Sequence, residues 1–550
     1  MADVASRDIL KLFIDGDFVD AETGTTVEAI NPATSEVVAV CAWANIRDAE
    51  KAISAARRAF DQGPRMSAEE RKALLYKLAD LLQAQRDEFA IMDCKNAGAL
   101  INKAKTDVAL AISQLKYFGD MATRYDSLPK PVEGMQKAGR SFVYTVREPI
   151  GVCGQIIPWN FLITMAGWKL GPALATGNTL VLKCAPETPV SALNLAKLCH
   201  AAGFPKGVIN IITGDVEAGE TIVKSPLVDK IAFTGSTEIG RRIMHMAADG
   251  MKRITLECGG KSANIVLDDA DTDLAVDGSQ YATSFHSGQV CESGMRLLLS
   301  RSQHDAFVAR LVEKVERMKL GDPMDPATTI GPVVSQKQLD RVLNYIDIGK
   351  KEGAKIAIGG KRATAGGLTK GFFVEPTIFT GVCNDMTIAR EEIFGPVLSV
   401  LKYTDQDDAV QIANTSQYGL AAGVWSKDEA QAQKLALRLR AGWVWINEWH
   451  VLAVSAPFGG YKQSGVGREF GEEGLNACTE IKTVYKDDAK LRERNSGTTS
   501  SYRAPRHRLR RTSRNPIRLI SRSLNPRRKL SWSHHPPQRA VPLQKSSSTA

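Results

Sequence analysis

Two short segments hold the strongest chemistry in this sequence: SGQVCESGMR with Cys291, and TLECGGKSANIV with Glu257. A cysteine thiolate is a strong nucleophile, and the thioester it forms is cleaved by water when a carboxylate takes the water's proton. Glu257 is the candidate for that base. Two neighbours compete with this pair. His286 in YATSFH could partner the thiol, but that stretch holds no acid to orient an imidazole, and a packed or solvent-facing histidine is the commoner case. Cys258, directly after Glu257, could be the nucleophile instead, although a small thiol between apolar residues usually serves packing.

Other segments carry groups that could serve the same reaction. In GQIIPWNFLIT, Asn160 follows Pro158 and Trp159, where an amide could donate to a developing oxyanion or could simply cap a turn. Lys183, ending the strand-like NTLVLK, could meet a ribose or phosphate, or be solvated. KIAFTGSTEIG runs an apolar strand through Gly235, Ser236 and Gly240 into a helix, so helix N–H groups could hold a phosphate there. The pattern departs from G-x-G-x-x-G, and a turn without a ligand fits it equally well. In EEIFGPVLSV, Glu392 could grip ribose hydroxyls while Phe394 supports a flat ring. Read separately they are a charged loop and a core phenylalanine. Asn447, the run APFGGYKQSGVGREFG and Glu469 follow downstream.

These groups need rigid elements to hold them. A chain of 550 residues is too long for one ordinary core, so two or three domains are expected. With 43% hydrophobic and 24% charged residues it matches a globular protein, and no apolar run approaches the roughly 18 residues that span a bilayer. Apolar strands such as VINIIT and KIAF alternate with helical stretches such as EIGRRIMHMAAD, the pattern of parallel sheets flanked by helices. Residues 47–121 instead read as successive long helices with apolar residues at three- and four-residue spacing. The Pro- and Gly-rich run 128–139 leads into SFVYTVREPIGVCGQII, a linker entering a strand pair. The nine cysteines, without a CxxC pair, suit neither a disulfide framework nor a zinc site, and no metal is expected. The N-terminus lacks a basic start followed by an apolar stretch, so a cytoplasmic protein is expected.

The net charge of +10 lies in one place. Residues 495–550 hold 11 Arg, 2 Lys and no acid, which is +13, leaving −3 on residues 1–494. This Ser-, Arg- and Pro-rich tail has too little apolar content to form a core and is expected to be disordered. It could hold RNA or an anionic membrane surface through phosphate contacts, or be a solvated extension without a catalytic role.

Taken in order, PWNF, VLK, FTGSTEIG, LECGGK, GQVC, EEIFGPV and PFGGYKQSGVGRE closely resemble the aldehyde dehydrogenase superfamily. The resemblance runs from LFIDGDFVD near the start to TEIKTVY near residue 485. It implies NAD(P)-dependent oxidation of an aldehyde to a carboxylic acid through a cysteine-bound intermediate. Cys291 would be the nucleophile and Glu257 the base for deacylation. The Asn160 amide and the Cys291 backbone N–H would form the oxyanion hole, and Lys169 and Glu469 a proton relay. The resemblance places a dinucleotide, NAD with NADP as the alternative, against Ile157, Pro158, Trp159, Lys183, Gly214, Gly235, Ser236, Gly240, Glu392 and Phe394. Phe161, Met165, Trp168, Phe285, Leu452 and Phe458 would line an apolar tunnel suited to an aromatic or medium aliphatic aldehyde.

The implied α/β architecture has a Rossmann-like cofactor-binding domain (1–126 and 150–261) and a catalytic domain (262–463). A small β extension (131–149 and 472–487) would join subunits into a dimer or tetramer. Members that pass the acyl group to coenzyme A generally lack the carboxylate kept here at Glu257, so hydrolysis is favoured and CoA acylation is the lesser alternative. A non-catalytic protein tethered to RNA by its tail is the reading from another class. Three positions depart from the family pattern. Leu162 stands for a usual proline, Met295 for Ser or Thr, and Pro186 for a ribose-binding glutamate, with Glu187 one step later. Glu292, Trp449 and His450 complicate a purely apolar tunnel.

Overall fold

The computed structural model describes residues 8–124, 130–131 and 141–487. Most of the Pro- and Gly-rich run 128–139 and all of the basic tail 495–550 lie outside them. The stretch 47–121 forms helices as its periodicity demands: Ile46–Gln62, Ala68–Ala84, Arg86–Ala97 and Ile101–Arg124. Asn45 and Ser67 start the first two through reciprocal side-chain and backbone hydrogen bonds with Asp48 and Glu70.

Two sheets organise the rest. The first has eight strands, its centre formed by the parallel strands Arg253–Glu257, Lys230–Thr234, Val152–Ile156, Thr179–Lys183 and Ile209–Ile212. These are buried nearly throughout and rich in Ile, Val and Leu, as strands covered on both faces must be. Their registers align the carboxyl ends: Glu257 lies level with Thr234, and Ile156 with both Phe233 and Lys183. The second sheet has seven strands. Thr377–Thr380, Val397–Tyr403, Arg296–Ser300, Ala263–Val266, Ala421–Trp425 and Trp443–Ile446 run parallel, with Lys355–Ile358 antiparallel at one edge.

The chain passes from the first sheet to the second through Cys258–Ser262, leaving a strand at Glu257 and entering another at Ala263. The carboxyl ends of one sheet are thus covalently tied to the amino-terminal ends of the other. Ligands of open α/β sheets bind outside the strands' carboxyl ends, so this seam is where a site belongs. A third, small sheet pairs Ser141–Pro149 with Thr479–Asp487 antiparallel, Thr479 opposite Pro149 and Tyr485 opposite Val143. Among the described residues no helix is long and apolar enough to cross a membrane.

One edge contact fixes the end of the Glu257 strand. Gly465–Val466 pairs antiparallel with Leu256 and Glu257, and Cys258 donates its N–H to the Ser464 carbonyl at 2.8 Å. Gly465 sits at φ +143°, and a Cβ there would meet the Leu256 carbonyl oxygen at 1.9 Å. Gly465→Ala is therefore expected to lower stability by about 1–3 kcal/mol, read as a fall in Tm, and to reduce activity beyond that loss by displacing Glu257.

Candidate active site

The TLECGGK loop shows how closely the seam is packed. A Cβ on Gly260 would fall 2.3 Å from the Cys291 carbonyl oxygen, and one on Gly259 would fall 2.2 Å from a Glu392 carboxylate oxygen. The two glycines let the end of the first sheet press directly on the turn that carries Cys291 and on the loop that carries Glu392. Gly260 also donates its N–H to Glu392 Oε1 at 3.0 Å.

Cys291 follows a strained approach. His286, Ser287 and Gly288 lie consecutively in left-handed backbone at φ 50°, 56° and 72°. Phe394, His450 and Phe470 are also left-handed, at 63°, 64° and 61°. Such residues persist only where surrounding structure holds them, and here they border one site. Helix Gln336–Lys351 grips the Glu392–Phe394 loop: Gln338 donates to the Phe394 carbonyl at 2.6 Å, and Arg341 to the Glu392 carbonyl at 2.6 Å. These two holders carry no motif of their own, so sequence reading missed them.

Two cavities open from the seam. One, about 510 Å³, is lined by Pro158, Trp159, Asn160, Glu187, Gly235, Ser236, Arg341, Glu392 and Phe394. Ser236 caps helix Thr237–Ala248 at its wall, and the Trp159 and Phe394 rings meet edge to face at 5.1 Å. The other, about 430 Å³ and mostly apolar, is lined by all six expected tunnel residues, Phe161, Met165, Trp168, Phe285, Leu452 and Phe458. The cavities share Phe161, Met165, Thr234, Glu257, Cys258 and Cys291. The sulfur and the carboxylate thus stand where the two spaces join.

Four expected cofactor positions line neither cavity. Ile157 is core and donates its N–H to the Lys183 carbonyl at 3.1 Å, while Lys183 is itself buried, its Nζ 3.3 Å from the Cys184 carbonyl. Gly214 turns at φ +111° against the Ala44 carbonyl, and Gly240 gives room to Cys258, whose sulfur would lie 2.5 Å from a Cβ there.

The electrostatics of the seam follow from burial. Glu257 is 4% exposed, and both its carboxylate oxygens lack a hydrogen-bond partner among the described residues. Burial first, then the nearby Glu469 charge, pushes its pKa well above the carboxylate range, with Lys169 and Arg468 pulling back. Lys169 and Glu469 form a buried ion pair. Burial also drives the Cys291 thiol well above its ordinary range, reinforced by Glu292, Glu392 and Glu257. Burial pushes Glu392 up to about 7 against the Gly260 N–H.

Asn160 Nδ2 donates to the Gln289 carbonyl at 2.8 Å, and Lys103 holds the Asn160 carbonyl at 3.3 Å while lying 3.7 Å from the centre of the Phe161 ring. Cys258 is buried against Gly240, and burial raises its thiol to about 12. His286 is buried, and desolvation drives it well below the usual imidazole range, so it stays neutral. It therefore offers no imidazolium to stabilise a thiolate.

The sequence model of the aldehyde dehydrogenase family matches residues 18–484. An aldehyde dehydrogenase of Emericella nidulans is 45% identical over 86% of this chain and 95% of its own length. The human mitochondrial aldehyde dehydrogenase is 45% identical over 86% and 91%. The NAD+ complex of the Bacillus cereus aldehyde dehydrogenase superposes with a TM-score of 0.85 at 45% identity, covering 88% of this chain and 97% of that one.

Of the nine cysteines, Cys383 is exposed and Cys291 half-buried at the cavities, while the other seven are buried. Alkylation of the native protein followed by peptide mass mapping is therefore expected to modify Cys383 and Cys291 only. The Cys291 rate should climb with pH, because its thiolate is scarce at neutrality.

Proposed function

Since the chain belongs to the aldehyde dehydrogenase family, we propose that it oxidises an aldehyde to its carboxylic acid with NAD+, using Cys291 as nucleophile and Glu257 as the base for hydrolysis. The observation that carries this reading is the meeting of the two cavities at Cys291 and Glu257. One cavity has the character a dinucleotide needs. The first turn of helix Thr237–Ala248 and the backbone at Gly235 suit a pyrophosphate, Glu392 suits ribose hydroxyls, and Trp159 and Phe394 form a flat-ring wall. When bound there, the nicotinamide supplies the hydride acceptor. Glu187 lines the same cavity, and a carboxylate beside the adenine ribose disfavours a 2′-phosphate, which supports NAD over NADP.

The chain's own groups then have distinct tasks. Cys291 binds the carbonyl carbon, and the Asn160 amide and the Cys291 N–H hold the oxyanion. Glu257 takes a proton from water as it attacks the thioester. Its unpartnered oxygens support that task, because they have no protein donor to release first. The buried Lys169–Glu469 pair offers a route for the proton onward. The tunnel lining supports an aromatic or medium aliphatic aldehyde. The edge strand Thr479–Asp487 exposes Ile481 and Tyr485, at 58% and 53%, which supports its role in joining subunits as a dimer or tetramer.

Four measurements test the assignment. Asn160→Ala is expected to lower kcat by about a hundredfold or more. Glu257→Gln should keep a first-turnover burst of NADH but lose steady turnover, and loss of the burst would contradict a purely hydrolytic role. In the parent enzyme, a base whose pKa burial has raised works only once ionised, so steady turnover should rise as the pH climbs above the range in which an ordinary glutamate titrates. Benzaldehyde and hexanal should exceed short charged semialdehydes in kcat/KM; the reverse order would overturn the apolar-tunnel reading.

A further inference from the structure

The thiol has one side-chain hydrogen bond, and it does not go to Glu257. Cys291 Sγ lies 3.0 Å from Glu292 Oε2, and the other oxygen of that carboxylate lies 3.2 Å from His450 Nδ1. Glu292 is 5% exposed, so it is a carboxylate with each oxygen engaged, one by the nucleophile and one by an imidazole. Glu257, by contrast, has both oxygens unpartnered. His450 is itself confined. Its ring lies 4.9 Å from Phe285 and 5.3 Å from Tyr281, and its backbone is held at φ 64°. Both Glu292 and His450 line the apolar cavity beside Cys291.

Resting on the aldehyde-oxidation reading above, we propose that Glu292 is the base that takes the Cys291 proton when the sulfur attacks, with His450 as the residue that positions it. The Sγ–H bond breaks and its proton passes to Glu292 Oε2, while the sulfur electron pair forms the bond to the carbonyl carbon. The carbonyl π electrons move to oxygen, where the Asn160 amide and the Cys291 N–H receive them. Loss of hydride to the dinucleotide, when it is bound, re-forms the carbonyl and leaves a thioester on Cys291; once water has displaced the acyl group, with Glu257 accepting the water's proton, the freed sulfur recovers its own proton from Glu292. The two carboxylates divide the work, one serving acylation and the other deacylation.

The groups facing Glu292 favour its ionised form in the resting enzyme. Burial opposes the charge, but the His450 hydrogen bond and charge, the Cys291 hydrogen bond and its own backbone N–H outweigh it. The same partners make it a weaker base, so its claim to the proton rests on being ionised and 3.0 Å from the sulfur. The same carboxylate also holds the thiol protonated while no aldehyde is present. Those two effects act in opposite directions on the isolated thiol and on catalysis, and that difference allows a test.

Glu292→Gln removes the charge and the proton acceptor together. Iodoacetamide should then alkylate Cys291 faster than in the parent at about pH 7, because the thiolate is no longer opposed by a neighbouring anion. The stopped-flow NADH burst with benzaldehyde should nevertheless slow by about a hundredfold. A burst as fast as the parent's, or faster, would overturn the proposal and leave Glu292 as a mere restraint on the thiol. Glu292→Asp keeps the charge but sets it back by one methylene. A slowed burst in that variant supports the proposal and an unchanged one overturns it, should the glutamine variant fail to fold. For His450, a positioning role predicts that His450→Ala slows the burst while His450→Asn, which retains a side-chain donor, restores part of it; equal bursts in the parent and both variants would count against that role. Absence of any NADH formation by the parent with either benzaldehyde or hexanal would instead sink the aldehyde-oxidation reading itself.

Discussion

Burying a sulfur among three carboxylates is electrostatically unfavourable for the thiolate, and much of the local architecture manages that cost. Cys291 is pushed away from ionisation by desolvation and by Glu292, Glu392 and Glu257. A nucleophile that stays protonated at rest is protected from adventitious oxidation and needs a proton acceptor at the moment of attack. The seam between the sheets supplies acceptors in fixed places. Gly259 and Gly260 allow the approach, Gly465 clamps the strand that ends in Glu257, and the left-handed run His286–Gly288 leads the chain into the turn.

The parallel sheets explain why these groups come from such distant parts of the chain. Parallel strands bring the residues after Ile156, Lys183, Thr234 and Glu257 to one edge, whatever their separation in sequence. The second sheet does the same for the segments that precede Ala263, Arg296, Val397 and Ala421. Placing the carboxyl ends of one sheet against the amino-terminal ends of the other yields two cavities with a common wall. Both cavities reach Cys291.

Much of this was legible in the sequence because the informative residues sit in loops at strand ends, where type and spacing are dictated by chemistry. The long helices before residue 124 followed from apolar periodicity, and the pairing of SFVYTVREP with TEIKTVYKD from the family resemblance. All six expected tunnel residues share one cavity, and Pro158, Trp159, Gly235, Ser236, Glu392 and Phe394 share the other. What escaped were contacts made by residues without a motif. Gln338 and Arg341 act from one face of a helix that reads as ordinary amphipathic surface. Lys103, on a helix far upstream, supports Asn160 by a contact that no local pattern could show. Glu292 and His450 stood out as oddities in an apolar tunnel, but only the fold brings them together across the thiol. Ile157, Lys183, Gly214 and Gly240, set against the dinucleotide by the family resemblance, line neither cavity.

The central claim is that Cys291 becomes covalently bound to the aldehyde's carbon and that Glu257 is needed to release it. Mass spectrometry of the Glu257→Gln protein, quenched in acid after mixing with benzaldehyde and NAD+, addresses both halves at once. The account predicts a benzoyl adduct that accumulates on the peptide containing Cys291 and is not found when the dinucleotide is omitted. An unmodified Cys291 in a protein that has made NADH, or an adduct on any other residue, would contradict it.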